Sequence, residues 1–197
     1  MSDLVAADPE KQKRYSPEEY LALESEAEVW HEYRNGKIVE RDPSTITHNQ
    51  LTGNLAVSLL QAFRDKEFHV FAIDLRLWIP SVNFFVYPDV MVIRGEPSCM
   101  DESQTTITNP IMVAEVLSSS TQNYDQGEKF DAYRSIPNFS EYLLIDQYQC
   151  YVKYFAKTAE NQWLLTDCKD INATISFASI DFDLALVDLY KGIVFEK

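Results

Sequence analysis

Two apolar runs constrain this chain more than anything else in it. "FFVYPDVMVIR" and "PIMVAEVLS" are near-continuous stretches of strand-forming residues, each interrupted by one acid, Asp89 in the first and Glu115 in the second. Runs of this kind belong to strands covered on both faces. They predict two central strands of a mixed sheet with a layer on either side. In the second run, alternation sets Met112, Ala114 and Val116 on one face and Ile111, Val113, Glu115 and Leu117 on the other. Both faces are apolar, so Glu115 has no wet side unless the strand ends near it, as the following "SSS" allows.

An unpaired buried carboxylate costs several kcal/mol, a large share of a net stability of about 5–15 kcal/mol. Proteins retain such a group when it pairs, takes up a proton or binds a cation. Asp89 follows Pro88, which has no N–H for a sheet ladder and marks an edge, bulge or irregularity. If the two strands are neighbours, Asp89 and Glu115 converge on one hard cation; Mg²⁺ takes one or two carboxylates together with carbonyls and waters. A single acid in a strand is more often a salt bridge or a strand-end contact. Two in successive apolar strands, one of them after a proline, point towards a metal site.

The flanking segments supply the layers. "SPEEYLALESE" opens with Ser16, Pro17 and Glu19 arranged as a capping box with proline at the first helical position. Asn35-Gly36 in "VWHEYRNGKIVERD" signals a hairpin. "THNQLTGNLAVSLLQAFRDK" places Leu51, Leu55, Leu59 and Phe63 on one helical face. "VFAIDLRLWIP" alternates as a strand, with Phe71, Ile73, Leu75, Leu77 and Ile79 on one side and Asp74 on the other. "SSSTQNYDQGEKFDAYRSIP" fits a helix of about four turns ending at Pro137. "FSEYLLID" and "CYVKYFA" read as a hairpin, "QWLLTD" and "TISF" as short strands, and "LALVDLYKG" as a closing helix. The class is α/β or α+β, with residues 1–14 a polar tail and residues 15–197 a single domain.

Composition narrows the partners. No apolar run approaches the roughly 18 residues of a membrane span, and the polar N-terminus lacks the apolar core of a secretory signal. Cys99, Cys150 and Cys168 are isolated and form no CxxC pair, which fits a reducing cytoplasm. The formal charge of −14 works against phosphate binding over a broad surface. A local basic groove or a bound divalent metal would offset it.

Several of these segments together resemble the Uma-type endonucleases, bacterial members of the PD-(D/E)XK nuclease superfamily. The likeness rests on "YPDV" and "VAEVLSSSTQNYDQGEKFDAYRSIPNFSEYLLID", and extends through "YSPEEYLALE", "WHEYRNGKIVE", "ITHNQLTGNLAVSLL" and "ALVDLYKG". It implies a restriction-endonuclease-like core, a mixed sheet flanked by helices with the site at one sheet edge. By that resemblance Asp89 and Glu115 are the two metal-binding acids, with Val116 lending its backbone carbonyl, and the ion is Mg²⁺ or Mn²⁺. The family's usual lysine falls two residues after the second acid, where this chain has Leu117. The Uma-type pattern places a substitute in the next helix, matched here by Lys129. The plain alternative for Lys129 is an exposed side chain paired with Asp125 one turn away.

Glu32 matches the acid before the family's hairpin glycine and is a candidate third carboxylate, unless it only forms a cross-strand polar pair. His48 matches a histidine near a helix start, where metal-shell, water-positioning, capping and surface roles are all open. Tyr133 is expected to pack its helix on the sheet. The function implied is metal-dependent hydrolysis of DNA phosphodiesters. A catalytically inactive nuclease-fold module that binds nucleic acid or serves in assembly is the alternative, favoured by Leu117 and the acidic charge. A hydrolase of small phosphorylated substrates is a third reading. Aromatics in "CYVKYFA" and "QWLLTD" fit a homodimer face as well as they fit a core strand.

Overall fold

The computed structural model describes residues 13–119, 121–160 and 162–195. Apart from Lys13 and Arg14, the expected polar tail lies outside the described residues.

Local sequence signals set the first elements. Helix α1 (Pro17–Glu24) starts at Ser16 with both bonds of the capping box formed. Strands β1 (His31–Arg34) and β2 (Lys37–Glu40) close a hairpin around Asn35 and Gly36, both left-handed at φ 45° and 96°. That conformation is the one a two-residue turn requires. Helix α2 (Ile46–Ala62) is capped by Thr45 and buries Leu51, Leu55 and Leu59, with Phe63 following on the same face.

The remaining elements are β3 (Phe68–Ala72), β4 (Arg76–Ile79), β5 (Phe84–Val86), β6 (Val90–Arg94), β7 (Thr106–Ile107) and β8 (Met112–Leu117). After a helical segment come β9 (Glu141–Asp146), β10 (Val152–Ala159), β11 (Gln162–Cys168), β12 (Thr174–Phe177), β13 (Phe182–Ala185) and a short helix, Leu186–Leu189. The central sheet runs β11-β10-β9-β8-β6-β3, with β8 and β9 parallel and its other neighbours antiparallel. A second sheet runs β2-β1-β5-β4-β7.

Strand β8 has two dry faces because it lies between two cores. Met112, Ala114 and Val116 pack with Leu51, Leu55 and Leu59 of α2. Val113 and Leu117 pack on the other side with Leu77 and Val86 of the second sheet and with Phe130 and Tyr133. The expected alternation therefore holds within the strand. Ile111, just before it, belongs to the α2 side instead.

Two expected strands are interrupted and the closing helix is shortened. "VFAIDLRLWIP" is not one strand: Ile73 and Asp74 take left-handed backbone at φ 63° and 61°, and β3 and β4 lie in different sheets. Each half keeps period two in its own sheet, so the alternation ran through the break unmarked. "FFVYPDVMVIR" likewise divides into β5 and β6, with Tyr87, Pro88 and Asp89 bridging the sheets. The two breaks are joined, since the Ile73 N–H donates to the Asp89 carbonyl at 3.1 Å. The closing helix is only four residues long, because "LA" of "LALVDLYKG" completes β13.

The helix after β8 has a π-helical turn, Asp125–Lys129, between the α-helical pieces Gln122–Tyr124 and Phe130–Tyr133. Among the described residues no helix is long and apolar enough to cross a membrane. The aromatics Phe155 and Trp163 pack against the core around Phe130, and Tyr154 is buried on the α2 side.

Candidate active site

Antiparallel pairing of β6 with β8 sets Val90 across from Ala114. One further step in that register brings Asp89 opposite Glu115. Pro88 ends the ladder there, and the Asp89 carboxylate takes over: its Oδ2 accepts from the Val116 N–H at 2.7 Å. In an extended strand the N–H and C=O of one residue face the same neighbour. The Val116 carbonyl therefore faces Asp89 as well.

His48 reaches the same carboxylate from the first turn of α2. Its backbone N–H donates to the Thr45 hydroxyl at 3.0 Å as part of the helix cap, while its Nε2 lies 3.1 Å from Asp89 Oδ2. The cap is Thr45, so the His48 side chain is left to the site.

Lys129 comes from the opposite side. It is 5% exposed, and its ammonium lies 2.9 Å from Glu115 Oε1, 3.1 Å from Glu32 Oε1 and 3.4 Å from Asp125 Oδ1. The expected pair with Asp125 exists, but in the interior of the site. Glu32, on β1, faces this cluster and not a cross-strand polar partner: it is opposite Val39 and accepts from Arg34 at 2.7 and 3.2 Å.

The π-helical turn explains how Lys129 arrives. A π-turn adds a residue to the helix and leaves a carbonyl poorly served. Here the Tyr142 hydroxyl of β9 donates to the Asp125 carbonyl at 3.0 Å. Leu117 points into the core against the same helical segment, beside Phe130 and Tyr133. A lysine there would bury its charge among aromatic rings.

Charge in this cluster is unbalanced: Glu32, Asp89, Glu115 and Asp125 face Lys129 and Arg34, with His48 on Asp89. Burial raises the Glu115 carboxyl to about 8, assisted by Asp89 and Asp125 and opposed by Lys129. Burial also raises Asp125. For Asp89, burial is outweighed by His48 and the Val116 N–H, which hold it below the usual range. For Glu32, burial is outweighed by Lys129 and Arg34, with the same result. Burial would strip Lys129 of its proton, but the surrounding carboxylates hold it well above the ordinary lysine value. The raised Glu115 and the raised Lys129 are compatible because too many acids share one ammonium. In the absence of further positive charge, Glu115 takes up the proton.

This donor set fits a small hard cation. Glu115 Oε1 and Asp89 Oδ2 are engaged as described, while Glu115 Oε2 and Asp89 Oδ1 have no hydrogen bond among the described residues. Two carboxylates, one carbonyl and waters are a Mg²⁺ pattern. Among the described residues no three His, Cys, Asp or Glu side chains enclose a metal position, so Val116 and waters would complete the shell. The group lines a cavity of about 420 Å³ together with Arg34, Arg41, Tyr87, Tyr124 and Tyr148.

The family model Uma2 ("Putative restriction endonuclease") matches residues 17–186. The chain belongs to the Uma2 family. Among its relatives is the uncharacterized protein sll1609 of Synechocystis, 42% identical over 160 residues, covering 81% of this chain and 90% of that one. A second uncharacterized Synechocystis protein, slr1290, is 29% identical over 182 residues, covering 92% and 94%. The crystal structure of a "putative nuclease belonging to DUF820" from Anabaena variabilis aligns with TM-score 0.73 at 17% identity, covering 91% of this chain and 99% of that one. The fold is restriction-endonuclease-like.

In this Uma2 chain the candidates Glu32, His48, Asp89, Glu115, Val116 and Lys129 line one cavity, whereas Asp74 lines another. Asp125, Tyr133 and Arg34 were missed as site residues. Tyr133 does pack its helix on the sheet, but its hydroxyl also donates to Glu115 Oε1 at 2.6 Å. The spacing of Asp125, Lys129 and Tyr133 was a usable signal, since four-residue steps bring side chains to one helical face. Nothing local marked Arg34, which lies over the Tyr124 ring at 3.4 Å.

Proposed function

We propose that this Uma2 protein is a Mg²⁺- or Mn²⁺-dependent phosphodiesterase acting on DNA, with Asp89, Glu115 and the Val116 carbonyl holding the ion. The observation that carries the reading is the placement of Lys129 against Glu115 at 2.9 Å, although the usual lysine position is Leu117. A bound divalent ion would polarise the scissile phosphate and lower the pKa of a coordinated water.

The chain's own side chains have the following roles. Asp89 is kept ionised by His48 and by the Val116 N–H, so it is a ready ligand near neutral pH. Glu115 becomes a full ligand on losing its proton. Lys129, charged and buried, holds Glu115 in place and keeps positive charge beside the attacked phosphate. Glu32 and Asp125 keep that ammonium charged and aimed. Tyr133 fixes one oxygen of Glu115 and leaves the other to the cavity.

The rival reading, a nuclease-fold module without catalysis, drew on Leu117 and on the acidic charge. A side chain that replaces the missing lysine answers the first point. A surplus of carboxylates around a cation site accounts for part of the second.

The test is cleavage of DNA in Mg²⁺ or Mn²⁺ against EDTA, for wild type, Asp89→Asn and Lys129→Met. The expected result is metal-dependent cleavage lost in both variants. Equal cleavage by wild type and Asp89→Asn, or cleavage undiminished in EDTA, would overturn the proposal.

A further inference from the structure

We infer that the DNA this site takes is unpaired, a single strand whose bases stack on Tyr148, which lines the cavity, and on Trp30, which packs on the cavity-lining Tyr87. The inference rests on the nuclease reading above and adds the form of the substrate.

The first argument is depth. Glu32, Asp89, Glu115 and Lys129 are all buried and line the cavity. Residues 40–45 and 118–119, with Gln147 and Tyr148, belong to its wall, and the Thr45 hydroxyl bridges part of that wall to Gln147 Oε1 at 2.6 Å. Duplex DNA carries its phosphates on a stiff rod, with a persistence length of about 150 base pairs. A rod of that kind does not lower one phosphate into a recess without local distortion. A single strand bends into it freely.

The second argument is charge. Duplex binding draws its affinity from several Lys and Arg side chains on phosphates. The lysine and arginines lining the cavity are Arg34, Arg41 and Lys129, against the acids Glu32, Glu40, Asp42, Asp89, Glu115 and Asp125. Lys129 is committed to carboxylates and Arg34 is clamped by Glu32. On a chain of net charge −14, little is left to follow a double-stranded backbone.

The third argument is a pair of exposed aromatic rings, one lining the cavity and one packed on a residue that lines it. Tyr148 is 55% exposed and its hydroxyl accepts from the Ser119 N–H at 3.3 Å, which fixes the ring. Trp30 is 44% exposed and packs 5.5 Å from Tyr87. Tyr87 is itself pinned by a bond to Glu24 Oε1 at 2.9 Å, with the Arg41 guanidinium 5.3 Å from its ring. Rings held with a free face are stacking platforms, and base stacking is open only to unpaired bases. Stacking also tolerates any sequence and depends little on phosphate charge.

The test measures binding of labelled oligodeoxythymidylate and of a labelled duplex of similar length to the full-length protein in EDTA, by fluorescence anisotropy. The strand should bind at least roughly tenfold more tightly than the duplex. Tyr148→Ala and Trp30→Ala should each weaken strand binding by about 5-fold to 150-fold, whereas Tyr148→Phe and Trp30→Phe should retain it. Duplex binding as tight as strand binding, or alanine variants that bind like wild type, would overturn the inference. Cleavage in Mn²⁺ is scored separately. Metal-dependent cleavage that favours the duplex overturns this inference and leaves the nuclease reading standing. Strand binding with no cleavage under any metal upholds the stacking surface and overturns the nuclease reading.

Discussion

Tyr133 donates its buried hydroxyl to Glu115 Oε1 at 2.6 Å, from one helical turn beyond Lys129. Lys129 binds that same oxygen at 2.9 Å, so a single helix face fixes the carboxyl from two directions. Tyr133→Phe keeps the packing and removes one donor. Without metal Glu115 holds its proton near neutral pH, so the bond joins neutral groups and contributes about 0.5–1.5 kcal/mol; unfolding in denaturant should show a loss of that size. Cleavage should fall with kcat lowered and KM little changed, because Tyr133 positions the proposed metal ligand and does not line the cavity. A raised KM with kcat intact would contradict this.

Lys129 is a buried cation among three carboxyl groups, and removing one partner of such a cluster strands the others. Lys129→Met should destabilise the fold by about 3–5 kcal/mol. Adding Glu32→Gln should return part of that stability, since the carboxylate that Lys129 helps keep ionised disappears, and should return none of the cleavage. Parallel denaturant unfolding and cleavage assays on the single and double variants check both statements.

Leu117 lies where a lysine is usual, and the second core explains why lysine is not tolerated there. It packs with Phe130 and Tyr133, the residues that seat the lysine-bearing helix. Leu117→Lys should therefore cost at least about 2 kcal/mol of stability. It should also lower cleavage, because the helix that carries Lys129 loses its seat. Thermal unfolding and an activity assay on this variant would show whether a second lysine helps or harms. An active, undestabilised variant would contradict the packing account.

Much of this was legible in the chain. The capping box at Ser16, the Asn35-Gly36 hairpin, the leucine stripe of α2 and the two dry faces of β8 each follow from local chemistry or simple periodicity. Asp89 and Glu115 were visible as acids in the wrong place, and Pro88 as the reason a ladder ends beside one of them. What stayed hidden depends on long-range geometry. Alternation cannot show that Ile73 and Asp74 turn the chain from one sheet to another, because both halves alternate. The π-turn at Asp125–Lys129 carries no compositional mark, and it decides where Lys129 points. Arg34 joins the site only because β1 pairs with β5 and delivers the hairpin to the cavity.

Stability should also report on Glu115 through pH. Its folded carboxyl is pushed up to about 8 by burial, above the ordinary value of 4.5. Between those values the folded state binds more protons than the unfolded state, so this group lowers stability as pH rises. Below pH 4.5 both states hold the proton and the penalty is absent. In EDTA, Glu115→Gln should therefore unfold at nearly the wild-type temperature at pH 5 and at a higher temperature than wild type at pH 8.5. Asp89, held low in the folded state, acts in the opposite sense: its contribution is present above its ordinary value and lost as acid protonates it. A Glu115→Gln shift independent of pH would count against a protonated Glu115.

The central claim is that Asp89 and Glu115 share one divalent ion. Calorimetric titration of Mn²⁺ into wild type, Asp89→Asn and Glu115→Gln tests it most directly. The account predicts one site per chain in the wild type, with affinity reduced at least tenfold in each variant and with a proton released on binding at neutral pH, less so above pH about 8. No binding to wild type at millimolar Mn²⁺, or equal binding by all three proteins, would contradict it.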